Sequence, residues 1–204
     1  VCGCAIPEAQ QGLNVARISA VLAGLPVGVG GVTVNRFCAS GLTALQMAAD
    51  RIRVGEADVM IAAGVESMSM VPMMGNSPSL SPSIFEREGD VGIAYGMGLT
   101  AEKVAQRWKV SRDAQDAFAL QSHQRALAAQ QAGDFTAEIT PITVTDRGVD
   151  IARGEAVSSS RTVSLDEGPR TDTSIEGLAK LRTVFAARGS VTAGNSSQTS
   201  DGAG

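Results

Sequence analysis

In the first third of the chain the apolar positions follow two rhythms. In "GLNVARISAVLAGLP" (12–26), Leu13, Ala16, Ala20 and Leu22, with Ile18 and Val21 alongside, return at the spacing of one helical face. Gly24 and Pro26 stop that helix. "GGVTVN" (30–35) is short, β-branched and bounded by glycine, which predicts a buried strand. "SGLTALQMAADRIRVG" (40–55) returns to helical spacing, with Leu42, Leu45, Ala49 and Ile52 on one side and Gly55 at its end. "ADVMIAAG" (57–64) is apolar almost throughout, the pattern of a strand covered on both faces. Strand, helix, strand in this order predicts a right-handed crossover in a parallel sheet.

The texture then changes. "SMSMVPMMGNSPSLSPS" (67–83) is rich in Ser, Pro and Met and reads as a long excursion. Two helices follow, over 96–110 and 111–133. Ser111 can cap the second, Asp113 suits its first turn and Gly133 is a stop. "AEITPITV" (137–144) predicts a short strand with Pro141 at an edge-like position. Residues 145–174 are polar and read as irregular, and a short helix capped by Ser174 spans 174–185. The organisation expected is a core over 1–70, an insertion over 71–189 and a return segment over 190–204.

Composition narrows the class. The chain has 204 residues, 44% of them hydrophobic, enough for a packed core. Aromatics make up only 3% while glycine numbers 23, so that core must rest on small side chains and close backbone approach. Net charge is −4 with both signs interspersed, which argues against nucleic-acid binding and for a solvated charged surface. No apolar run reaches the roughly 18 residues of a membrane span. The three cysteines, Cys2, Cys4 and Cys38, do not form a disulfide framework, so a reducing, cytoplasmic setting is expected. The opening on Val1 and the close on "TSDGAG" suggest a fragment.

Cys38 carries the candidate chemistry. It sits where the strand at 30–35 gives way to the helix at 40–54, the end of a parallel sheet at which ligands bind. Unpaired N–H groups and the helix dipole favour thiolate there, the reactive form. Ala39, Ser40 and Gly41 leave the turn open to an acyl group. A buried structural cysteine is the competing reading. Metal ligation is poorly supported, because His123 is the single histidine and no Cys-x-x-Cys pair occurs. Cys2 and Cys4 alternate along an apparent strand and suit packing. His123 lies mid-helix among Gln121, Ser122, Gln124 and Arg125 and reads as solvated, so a nucleophile is present without an evident base.

The string "VNRFCASGL" (34–42) resembles the thiolase family, thiolytic acyl-CoA acyltransferases. Further strings match in family order: "GCAIPEAQQGLNVAR" (3–17), "GVESMSM" (64–70), "MGLTAEKVA" (97–105), "SRDAQDAFALQSHQRA" (111–126), "LAKLRTVF" (178–185) and "SVTAGNSSQTSDGAG" (190–204). The resemblance implies an α/β fold: an incomplete N-terminal βαβαβαββ core with an inserted α-rich loop domain. It implies that Cys38 is acylated by a 3-ketoacyl-CoA and that CoA then removes the acyl group, with coenzyme A as substrate and no cofactor or metal. Carried over by position, Arg170 lies near the adenine end of CoA, Ala193 and Ser197 along its pantetheine arm, and Met97 at the pocket wall. The family's catalytic His (in Gly-His-Pro) and second Cys (in Cys-x-Gly) have no counterpart motif in this chain. The fragment alone is therefore expected to be inactive, and the full-length protein to be a homodimer or homotetramer. Gly96 stands where short-chain biosynthetic members carry His, which implies a degradative, broader-chain enzyme. A ketoacyl synthase, a non-catalytic CoA-binding or dimerisation module, and a redox sensor on Cys38 are the alternatives. The strings at 97–105 and 111–126 argue against the first, and the want of a nearby resolving thiol against the last.

Overall fold

The computed structural model describes residues 1–89 and 91–204. They fall into two compact units, one formed by Val1–Val91 with Thr199–Gly204, the other by Gly92–Gln198.

The first unit holds a four-stranded sheet of β1 (Cys2–Gly3), β2 (Thr33–Val34), β3 (Ala63–Glu66) and β6 (Gly202–Ala203), in the order β2-β1-β3-β6. β1 is parallel to both neighbours, with Cys2 opposite Thr33 on one side and Ala63 on the other. β6 runs antiparallel to β3. The helices are α1 (Val15–Leu22) and α2 (Ser40–Arg53). The parallel arrangement expected from the strand–helix–strand pattern is present.

Several details differ from the pattern's prediction. The strand expected over 57–64 is displaced to Ala63–Glu66, and Val59 and Ile61 are exposed. The ladder with β1 runs out at Val1, whose nitrogen donates to Ile61 O (2.8 Å). The strand expected over 30–35 shrinks to Thr33–Val34 and is half-buried. α1 starts late because Leu13 and Asn14 both have left-handed φ (52° and 63°), and Leu13 and Leu22 are exposed. Asn14 ties α1 to β2: its Nδ2 donates to Gly31 O (2.8 Å), and its Oδ1 accepts from Thr33 Oγ1 (2.9 Å).

The largest departure concerns α2. Its buried residues are Ser40, Ala44 and Ala48, while Leu42 is 70% and Leu45 56% exposed. The reason is steric. A Cβ built on Gly3 would lie 2.5 Å from Ser40 C and 2.6 Å from Gly41 N. The first turn of α2 therefore rests on the backbone of the central strand, and only small residues fit beneath it. This is the small-residue core the composition predicts, placed on a different face from the one the large apolar residues mark.

The second unit contains α3 (Met97–Trp108), α4 (Arg112–Ala132), an antiparallel hairpin of β4 (Ile142–Asp150) and β5 (Glu155–Val163), and α5 (Ile175–Ala179). Ser111 caps α4, its Oγ accepting from Ala114 N (3.2 Å), and Gly133 ends it with φ 78°. Ser174 caps α5 through Gly177 N (3.1 Å), although that helix stops at Ala179. The hairpin overturns the irregular reading over 145–163, while 164–174 is without helix or strand, and the strand expected at 137–144 begins only after Pro141. Asp150 turns the chain, its Oδ1 accepting from Ala152 N (3.0 Å) while its carbonyl accepts from Gly154 N (2.7 Å). Gly154 supplies the positive φ (66°) that closes this turn. Both hairpin faces are largely exposed, so no apolar alternation marks the strands.

Candidate active site

The turn from β2 into α2 carries Cys38. Phe37, immediately before it, has φ 47°, a conformation that bulky residues rarely adopt. Ser40 holds this geometry. Its Oγ accepts from Arg36 N (2.8 Å) and donates to Phe37 O (2.6 Å), and it is buried. Asn35 Oδ1 accepts from Phe37 N (2.8 Å). With Gly3 fixing the helix beneath, the thiol is presented from an over-determined, strained turn, as functional side chains often are. Cys38 is exposed, while Cys2 and Cys4 are buried, and burial pushes both of their thiols up. The backbone N–H groups of Cys38, Gly41 and Leu42 have no acceptor among the described residues. They are available to an oxyanion or thiolate at the start of α2.

Polar contacts brace the same end of the sheet. Glu66 accepts from Ala5 N (2.6 Å) and from Gln11 Nε2 (2.8 Å), and the buried Gln11 also accepts from Ser67 N. Asp201 accepts from Ser69 N (2.8 Å), Ser69 Oγ and Ser67 Oγ, and these bonds, those from Ser69 foremost, hold its carboxyl below the usual range.

Cys38 lies in the first unit; Met97, Arg170, Ala193 and Ser197 lie in the second. Met97 opens α3 and is exposed. Farther along α3, Glu102 accepts from Ser190 N and Val191 N (each 2.9 Å), clamping the start of the 190–197 segment. The Phe185 ring lies against Gly98, where any Cβ would overlap it. Ala193 and Ser197 are exposed. The loop carrying Arg170 meets the end of this segment where Gly168 abuts the Gln198 side chain. Arg170 is itself paired in bidentate fashion with Asp172 (3.1 and 2.8 Å), which holds the Asp172 carboxyl low. His123 is half-buried rather than solvated: its Nδ1 accepts from Arg170 N (3.1 Å). Chain neighbours apart, no atom of the described residues lies within 4 Å of where a Cβ on Gly96 would stand.

Sequence reasoning missed the groups that hold these residues: Gly3, Phe37, Ser40, Glu102, Asp116 and Asn195. Asp116 gave a signal in its i,i+4 spacing from Arg112, but the pair reads as surface charge. In the fold Asp116 is 3% exposed and Arg112 Nε donates to it (2.7 Å). Among the described residues no cluster of three or more His, Cys, Asp or Glu could hold a metal ion, and no helix is long and apolar enough to cross a membrane.

A largely parallel sheet packed with helices, with an exposed cysteine at a strand-to-helix turn, defines the class: an α/β protein that exposes a thiol at the end of its sheet. A family model described as "Thiolase, N-terminal domain" matches residues 1–204, and the chain belongs to the thiolase family. It is 48% identical over 205 residues to a 3-ketoacyl-CoA thiolase of Bacillus subtilis, covering 100% of this chain and 51% of that protein. It is 43% identical to an acetyl-CoA acetyltransferase of Pseudomonas aeruginosa, over 96% of this chain and 50% of that protein. The crystal structure of the dimeric peroxisomal thiolase of Saccharomyces cerevisiae superposes with a TM-score of 0.81 at 34% identity, covering 99% of this chain and 49% of that one. The chain thus spans about half the length of the relatives it matches.

Proposed function

We propose that this chain supplies the nucleophile and the coenzyme A-holding segment of a thiolytic acyltransferase. The observation that carries this reading is Cys38, the exposed cysteine, on a strained turn beneath free N–H groups, while the other two are buried. In the breakdown direction the Cys38 thiolate attacks C3 of a 3-ketoacyl-CoA. The C2–C3 bond breaks, its electron pair goes to C2, and protonation there gives acetyl-CoA. The shortened acyl group remains on sulfur as a thioester. A CoA thiol, losing its proton, then attacks that carbonyl and Cys38 leaves as thiolate. Run in reverse, the sequence is a Claisen condensation.

Within this reading Arg170, Ala193, Ser197 and Met97 bind CoA and line the pocket, and 71–189 acts as an inserted loop domain. In this reading the base and the proton shuttle come from residues outside this chain, where the resemblance puts the catalytic His and the second Cys. The chain alone is therefore expected to turn over no substrate, and the full-length protein to assemble as a homodimer or homotetramer, in keeping with the dimeric yeast relative. The open space at Gly96 supports acceptance of longer acyl chains. The test is turnover of a series of 3-ketoacyl-CoA substrates by the full-length protein and its Cys38→Ser variant. Activity on several chain lengths that vanishes in the variant is expected. Activity restricted to acetoacetyl-CoA would remove the broad-chain reading, and activity retained without Cys38 would remove the mechanism.

A further inference from the structure

The 190–197 segment is folded over a buried polar floor. Asn195 uses its whole amide: Oδ1 accepts from Thr192 N (2.7 Å), and Nδ2 donates to Asp116 Oδ1 (2.9 Å) and Ser190 O (3.1 Å). Thr192, fully buried, accepts through Oγ1 from Gly194 N (3.2 Å) and Asn195 N (3.3 Å). Asp116 is anchored in turn by Arg112, whose guanidinium also donates to Leu178 O (2.6 Å) and Leu181 O (3.1 Å). Gly194 is pressed on Leu178 and Leu181, where a Cβ would lie 2.5 Å from each side chain. With the inner side fixed in this way, Ala193 and Ser197 are left on the outside, exposed. The N–H groups of Ala193, Ser196 and Ser197 have no acceptor among the described residues. A run of N–H donors left unpaired in this way suits the amide carbonyls of an extended arm.

We propose that Asn195, seated on the Asp116 carboxylate and bridged to Thr192, is a positioning residue for the pantetheine arm of coenzyme A. It touches no substrate; it fixes the backbone from which Ala193 and Ser197 make contact. The inference rests on the acyltransferase reading above. Loosening this floor costs CoA affinity because a mobile segment must be ordered on binding.

The experiment titrates CoA into the full-length protein by calorimetry and measures steady-state kinetics for Asn195→Ala and for Thr192→Val, a near-isosteric change that removes the Oγ1 acceptor. In Asn195→Ala the Kd and KM for CoA should rise about tenfold, the scale of one lost buried hydrogen bond, with kcat at saturating CoA nearly unchanged. Thr192→Val should shift the same way, by about threefold. If Asn195→Ala does not fold, Thr192→Val decides alone. Variants that fold and bind CoA with unchanged Kd, or that lose kcat with KM unmoved, overturn the proposal. Failure of the unvaried protein to bind CoA at all is a different result: it removes the acyltransferase reading and the proposal with it.

Discussion

Around Cys38 the helix is seated by steric closeness, with the Ser40 and Asn35 hydrogen bonds fixing the turn, whereas around Ala193 and Ser197 a buried hydrogen-bond network does most of the holding, with Gly194 packed on Leu178 and Leu181. In the first unit Gly3 leaves no room for another carbon beneath the first turn of α2, Ala44 and Ala48 are buried on the same helix, and Phe37 takes a left-handed φ. In the second, Glu102, Asp116, Asn195 and Thr192 fold a polar segment against α3, α4 and α5. The difference suits the two tasks proposed for these regions. A nucleophile needs one fixed direction, which hard contacts give. A segment that receives a long ligand needs unpaired donors, which a satisfied inner network leaves free.

Perturbing each region tests that contrast. The largest effect is expected from Gly3→Ala, whose new Cβ would meet the backbone of Ser40 and Gly41. It should destabilise the protein by about 3 kcal/mol, the upper end of overpacking costs, in chemical unfolding. A cost near zero would mean that α2 can move off the sheet, and that steric closeness does not seat the helix. Asp116→Ala comes next, at about 2–3 kcal/mol, because it strips partners from Arg112 and Asn195. If it unfolds no more easily than the unvaried protein, the polar account of the second unit is wrong.

Phe37→Gly sharpens the contrast through its sign. Glycine accepts φ 47° freely and the Phe37 ring is largely exposed, so stability should be unchanged or rise by up to about 1 kcal/mol. Alkylation of Cys38 should nonetheless slow or lose uniformity as the turn relaxes. The smallest effect belongs to Asp201. Its carboxyl is held low in the folded state, so its contribution is present above the ordinary aspartate range and is lost as pH falls below it through the folded value. Urea midpoints of Asp201→Asn should be slightly lower than those of the unvaried protein at neutral pH and converge with them in acid.

Much of this was legible in the residues, for identifiable reasons. The caps Ser111 and Ser174 and the stop at Gly133 act locally, so local sequence showed them. The parallel sheet followed from alternating element types. The buried face of α2 was hidden because its ridge of Leu42, Leu45 and Ile52 is more apolar than the Ser40, Ala44 and Ala48 side that packs. The closeness imposed by Gly3 is a tertiary fact that periodicity cannot carry. The hairpin was hidden because neither of its faces is covered, leaving only Asp150 and Gly154 as turn signals. Asp116 and Asn195 were hidden because a polar residue looks the same in sequence whether water or a buried partner satisfies it.

The most direct test of the account is the intact mass of the full-length protein after mixing with a 3-ketoacyl-CoA in the absence of free CoA, followed by peptide mapping. One adduct is expected, the mass of the acyl group shortened by two carbons, on Cys38 and discharged when CoA is added. An adduct on Cys2 or Cys4, or turnover with Cys38 never modified, would contradict it.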